Sequence, residues 1–227
     1  VYNYIGLKKS KEVILIYKEI AVENFTTIPQ AVLAGANRIE LNDNLAVGGT
    51  TPSTGVLQET TKYLQEKSIP LVEMIRPRGG NFVYNDLELK MMEADLFQAQ
   101  KLGVDAVAFG ALTATGELDE EAMEQLIASS SGMQVVFHMA FDDIPENKQH
   151  DAIDWLVEHD VDRILTHGGP LNISINETMD NIKKAMNYAA DRITILPGGG
   201  ITYENCDEIA SSLNVKELHG TRLIDLV

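Results

Sequence analysis

The sequence predicts an α/β fold: a closed TIM-type (β/α)8 barrel whose eighth helix is short or absent. Short apolar runs of strand length recur along the chain, each followed by a segment with amphipathic helical spacing. Eight such units fit within 227 residues, about the length one barrel needs. Strand–helix alternation implies a parallel sheet. An open, doubly wound sheet would favour a glycine-rich turn after the first strand, and Ala21-Val22-Glu23-Asn24 is not one.

Val13 to Val22 reads as the first strand, with residues 1–12 before it as an N-terminal extension and 13–227 as a single domain. Thr26 or Thr27 caps a short helix that has Pro29 in its first turn and Gly35 at its end. Arg38 to Leu41 is the second strand, followed by Asn42-Asp43-Asn44 and the loop Gly48-Gly49-Thr50-Thr51-Pro52. A helix from Ser53 to Lys67 leads to the third strand, Pro70 to Ile75. Pro77 pushes Arg76 towards an extended conformation, so this strand is expected to continue through that arginine.

Asp86 caps a long helix to Leu102, with Gly103 as its stop. Ala106 to Phe109 is the fourth strand, and Asp119 to Ser130 carries the fourth helix. Val135 to Phe137 is the fifth strand, with its helix from Gln149 to His159. Arg163 to Thr166 is the sixth, with its helix from Glu177 to Ala189. Ile193 to Leu196 is the seventh, and its helix starts near Thr202. Glu217 to His219 is the eighth.

Composition narrows the function. A net charge of −16 argues against nucleic acid and anionic membrane surfaces as partners. One cysteine, Cys206, excludes an internal disulfide framework and a multi-cysteine metal site within one chain. No apolar run is long enough to span a membrane, and Lys18 and Glu19 interrupt any signal-like segment, so a cytoplasmic protein is expected. The short C-terminus leaves the groove between the last and first strands thinly covered, which predicts a homodimer.

In such barrels the active site lies at the carboxyl ends of the strands. Glu19 and Glu23 flank the first, Glu40 and Asn42 the second, and Arg76 and Arg78 the third. His138 and Asp142 follow the fifth, His167 the sixth, and His219 the eighth. Candidate catalytic residues are therefore Glu19, Glu40, Arg76, His138, Asp142 and His219. Glu40 with His138 would serve as general base and acid if they face each other, or Glu40 would simply pair with Arg38, Arg76 or Arg78. A small anionic ligand is the expected partner. Arg76 and Arg78 offer guanidinium forks, while Gly199, Gly200, Gly220, Thr221 and Arg222 offer backbone donors and a further cation. No metal-ligand spacing, nucleophile elbow or P-loop is present.

Several motifs occur together and in order: Arg38-Ile39-Glu40-Leu41, Gly48-Gly49-Thr50-Thr51-Pro52-Ser53, Ile75-Arg76-Pro77-Arg78-Gly79-Gly80, Phe137-His138-Met139-Ala140-Phe141-Asp142, Gly198-Gly199-Gly200 and His219-Gly220-Thr221. Taken together, from about Lys18 to the C-terminus, the chain resembles the copper homeostasis protein CutC family. The resemblance implies a cytoplasmic TIM barrel, often a homo-oligomer, associated with copper handling. The copper site proposed for that family uses cysteines after the first and second strands. Here those positions are Ala21 and Asn42, and neither replaces a thiolate for soft Cu(I). Copper thus enters as a ligand implied by the resemblance, without the ligands to hold it. Two functions are expected from this: copper binding or handling, or an enzyme acting on a small anionic or phosphorylated metabolite with copper effects indirect.

Overall fold

Apolar and β-branched residues fill the strands because both faces of each strand are covered, the pattern of a parallel sheet flanked by helices. Residues 15–225 are described in the computed structural model of this chain. The strands are β1 (Tyr17–Glu23), β2 (Arg38–Asn42), β3 (Leu71–Met74), β4 (Ala106–Phe109), β5 (Gln134–Phe137), β6 (Arg163–Thr166), β7 (Thr194–Pro197) and β8 (Glu217–Gly220). They alternate with helices α1 (Ile28–Leu33), α2 (Thr54–Lys67), α3 (Asp86–Leu102), α4 (Glu120–Ser129), α5 (Glu146–Glu158), α6 (Ile175–Ala189) and α7 (Cys206–Leu213). Among the described residues no helix follows β8, and none is long and apolar enough to cross a membrane.

Every strand pairing is parallel, in the order β7-β6-β5-β4-β3-β2-β1-β8. No ladder joins β7 to β8. A bridge between Thr202 and Arg222 closes that seam just beyond the strand ends, with the Tyr203 amide donating to the Arg222 carbonyl at 2.7 Å. The glycine loops after β7 and β8 therefore lie side by side at the mouth.

Several boundaries differ from the sequence expectation. The first strand begins at Tyr17, with Leu15 and Ile16 outside it, and Val13 and Ile14 fall outside the described residues together with the 1–12 segment. The third strand stops at Met74 instead of running through Arg76, because the Arg76 amide turns to the Thr51 hydroxyl at 2.9 Å. Asn85, not Asp86, caps α3. Its side chain accepts from the Leu87 and Glu88 amides while Glu88 reaches back, a complete capping box. Ser174 caps α6 in the same way, and α5 begins three residues earlier than expected, at Glu146. Asn205 precedes α7, so Thr202 lies in the turn before it.

Side-chain alternation divides the core in two. Outward residues such as Ile20, Ile39, Leu41, Val107 and Phe109 pack beneath the helices. Inward residues fill the barrel, and there the two halves differ in character. Val72, Met74, Ala106, Ala108, Val136, Leu165 and Leu196 line the β3–β7 half with apolar groups, and the buried Arg163 of β6, bonded to Gln134 Oε1 at 2.9 Å, is the charge below them. The β8–β1–β2 half carries charge, because the register sets Glu19 beside both Arg38 and His219, and Ala21 beside Glu40. Burying charge is costly unless it is paired. Arg38 ion-pairs with Glu19 and, at 2.9 Å, with Glu217.

Candidate functional site at the barrel mouth

A cavity of about 240 Å³ opens at the carboxyl ends of the strands. Glu40, Asn42, Arg76, His138 and His219 supply its polar side chains, and Met74, Phe82, Met139 and Leu165 its apolar wall. Gly199, Gly200, Gly220, Thr221 and Arg222 also line it. The structure thus brings together most of the residues that the sequence placed at strand ends.

The acidic wall is built on the adjoining strands β8, β1 and β2. His219 Nδ1 donates to Glu19 Oε1 at 2.7 Å, and its Nε2 stands 3.9 Å from Glu40 Oε2. Burial alone would raise the Glu19 carboxyl, but bonding to His219 and the charge of Arg38 hold it down at about 2. Burial raises Glu40, with the Glu19 charge adding to that shift against the pull of His219. Burial would also depress His219, yet the Glu40 and Glu19 carboxylates hold its imidazolium above the ordinary range. Asn42 Nδ2 donates to Glu40 Oε2 at 2.8 Å, and Glu40 Oε1 is buried without a partner among the described residues. Gly49 makes room for that amide: at φ +88 it has no side chain, and a Cβ there would lie 2.2 Å from Asn42 Oδ1.

The opposite wall supplies donors. Arg76 leaves the end of β3, and its terminal nitrogens donate to the carbonyls of Val47, Gly49 and Gly80 at 2.9, 3.0 and 2.7 Å. The Phe82 ring stacks under its guanidinium, 4.7 Å from centroid to Cζ. His138, after β5, packs on the same ring with centroids 4.8 Å apart. Its Nδ1 accepts from the Ala140 amide at 3.2 Å, which puts the ring proton on Nε2. Burial, and then the charge of Arg76, push its pKa down to about 3, so the ring stays neutral. Arg76 Nε and His138 Nε2 are each a buried N–H without a partner among the described residues. Such a group costs roughly 1–3 kcal/mol.

Three expected site residues do not reach the cavity. Arg78 turns away. Its guanidinium is taken up by Glu88 and the carbonyls of Gly79, Asn81 and Val83, so it clasps its own loop. Asp142 is a brace, accepting from Thr166 Oγ1 and from the amides of His167 and Gly168. Glu19 lies one layer below the mouth and acts on it through its bond to His219 and its charge on Glu40. His167 is likewise structural, its ring nitrogens directed at the carbonyls of Gly198, Gly199 and Ile173. Glu40 pairs with none of the three arginines suggested for it; Asn42 and His219 are its neighbours. Phe82, which supports both donors, carried no signal in sequence beyond its place after the Arg78-Gly79-Gly80 turn.

Glu19, Glu40 and His219 bring three donor atoms within 4.8 Å of one another. The set is oxygen and nitrogen only, and Glu19 is committed to Arg38 and His219. It does not suit Cu(I), which selects sulfur. Cys206 is buried at the start of α7, where burial raises its thiol pKa, and it takes no part in the mouth.

The family model described as "CutC family" matches residues 16–224. A family protein CutC of Enterococcus faecalis is 56% identical over 207 residues, spanning 91% of this chain and 99% of that protein. The human copper homeostasis protein cutC homolog is 40% identical over 201 residues, spanning 88% of this chain and 71% of that protein. The crystal structure of a CutC from Streptococcus agalactiae superposes with a TM-score of 0.89 at 49% identity, covering 92% of this chain and 99% of that one.

Proposed function

The chain belongs to the CutC family, and from that premise we propose that it serves copper homeostasis, the role named for its human and mouse relatives. The family match over residues 16–224, the whole barrel with its mouth, carries this reading. The donor set supports an indirect role over storage of Cu(I), because Ala21 and Asn42 stand where thiolates would be needed. Copper tolerance tests the role in a host deprived of its own family member. Restored growth on copper with the wild-type chain is expected. Growth no better than the empty host would overturn it.

A second reading has its own support. An enzyme acting on a small anionic metabolite accounts for unpartnered donors on one wall of the cavity and a carboxyl of raised pKa on the other. If that reading holds, Glu40→Gln fails to restore tolerance while folding normally. A cytoplasmic homodimer is the proposed form, and a monomer mass in light scattering at micromolar concentration would refute the dimer.

A further inference from the structure

We propose that the barrel mouth catalyses proton transfer at a carbon next to a carbonyl group, with Arg76 and His138 holding the carbonyl oxygen and Glu40 exchanging the proton. This rests on the enzyme reading above and names its chemistry.

The donors come first. Arg76 Nε and His138 Nε2 are both buried and both on residues lining one cavity. Neither has a partner within hydrogen-bonding distance among the described residues, the Tyr84 hydroxyl being the protein group that acts on the Arg76 side chain. Native proteins rarely leave such groups unsatisfied, so a ligand oxygen is the natural partner. Neither donor is free to turn away. Three backbone carbonyls hold the Arg76 fork, the Ala140 amide fixes the His138 ring, and Phe82 packs on both. Fixed donors in a buried site stabilise an oxygen that gains charge as the reaction proceeds. The neutral state of His138 suits a hydrogen-bond donor that does not give up its proton.

The base follows from the facing wall. Glu40 Oε1 is buried with no partner among the described residues, and Glu40 lines the same cavity. Its raised pKa brings it nearer neutrality, where a group that both takes and returns a proton works best. His219, anchored by Glu19 and through it by Arg38, is the positioning residue that balances the charge of Glu40.

The step balances without a further reactant. The Glu40 carboxylate takes the proton from the carbon beside the carbonyl. The C–H electron pair becomes a C=C bond, and the carbonyl π pair moves to oxygen, giving an enolate held by Arg76 and His138. Return of a proton from Glu40 to the same face of that carbon regenerates the substrate with its hydrogen exchanged for one from solvent. Across the mouth, the Gly199, Gly200 and Ile201 amides donate to no protein group among the described residues, and Arg222 stands exposed on the rim. They suit a carboxylate or phosphate on the substrate.

Deuterium exchange tests the step. Pyruvate and dihydroxyacetone phosphate, incubated with the protein in heavy water, report loss of the C–H signal by proton NMR. Exchange above the buffer rate is expected for at least one. It should fall about a thousandfold in Glu40→Gln and about a hundredfold in His138→Leu. Oxalate, a planar enolate mimic, provides the second measurement. It should bind wild type and Glu40→Gln, and bind His138→Leu at least about tenfold more weakly. Oxalate binding without exchange of either probe overturns the proton-transfer proposal and leaves the anionic-ligand reading standing. Neither binding nor exchange overturns both. Exchange undiminished in a folded Glu40→Gln protein overturns the assignment of the base.

Discussion

His219 stands between two buried carboxylates, bonded to Glu19 at 2.7 Å through Nδ1 and facing Glu40 at 3.9 Å through Nε2. Strand register creates the relationship: β8 pairs with β1 so that His219 lies beside Glu19, and β2 sets Glu40 beside Ala21, one layer above. The two carboxylates differ because Arg38 ion-pairs directly with Glu19 and reaches Glu40 only as a weaker, more distant charge.

A titration follows from that asymmetry. Burial works against the imidazolium, but Glu40 first and Glu19 second hold its pKa above 6.5. A histidine raised in the folded state adds stability that is fully present below about 6.5 and is lost as pH climbs through the folded value. Glu19, Glu40 and Arg38 are the charges acting on it. Glu40→Gln removes the largest favourable influence, so the His219 pKa should drop, as read by NMR of its ring protons. An unchanged midpoint would show that Glu40 does not act on His219.

Glu73 offers a test away from the mouth. It points outward from β3, buried, and its burial together with the nearby charge of Asp95 raises its pKa to about 9. Between 4.5 and about 9 the folded state holds a proton that the unfolded state has released, so stability should fall as pH rises through that window. At pH 7 the penalty is on the order of 3 kcal/mol. Glu73→Gln keeps the shape and removes the titration. Its Tm should exceed that of wild type at pH 8 and converge with it near pH 5. Parallel Tm curves would contradict the assignment.

The barrel was legible because eight apolar runs and their spacing survive without tertiary information. Strand parity also placed Glu40, Arg76, His138 and His219 at one end correctly. What parity cannot supply is the direction of a long side chain beyond the strand. Arg76 and Arg78 share a turn, yet Arg76 enters the barrel while Arg78 folds back on Glu88. Nor does sequence reveal pairing across the closure. Glu19 and His219 are 200 residues apart and meet only because β8 returns to β1. Asn85 and Asp86 are both good caps by residue type, and the capping box with Glu88 decides for Asn85.

Arg76 should prove structural as well as functional. Its terminal nitrogens hold the Val47, Gly49 and Gly80 carbonyls, tying the loop after β2 to the turn after β3. Arg76→Ala removes charge-assisted bonds and strands buried acceptors, for a loss of about 3–5 kcal/mol in urea unfolding. Arg76→Lys should recover only part, since one ammonium cannot replace a planar fork. Arg78→Ala, at a partly exposed clasp, should cost far less. Equal losses at the two positions would mean that the inward placement of Arg76 has no energetic consequence.

Copper affinity can be predicted from what lines the cavity. Ala21 and Asn42 both reach it, from neighbouring strands, and neither offers sulfur. Met74 and Met139 belong to its apolar wall, and the Glu19, Glu40 and His219 donors are oxygen and nitrogen. Cu(I) prefers soft thiolate ligands. In competition with a strong Cu(I) chelator, the wild-type chain should therefore retain well under one copper per chain, and Cys206→Ser should change nothing. Converting Ala21 and Asn42 together to cysteine places two thiolates on the cavity wall, and the double variant should take Cu(I) from the chelator. Each single variant should fall well short, because one thiolate cannot close a two-coordinate site. Stoichiometric copper on the wild-type chain would reverse the conclusion and direct attention to the methionines and His219.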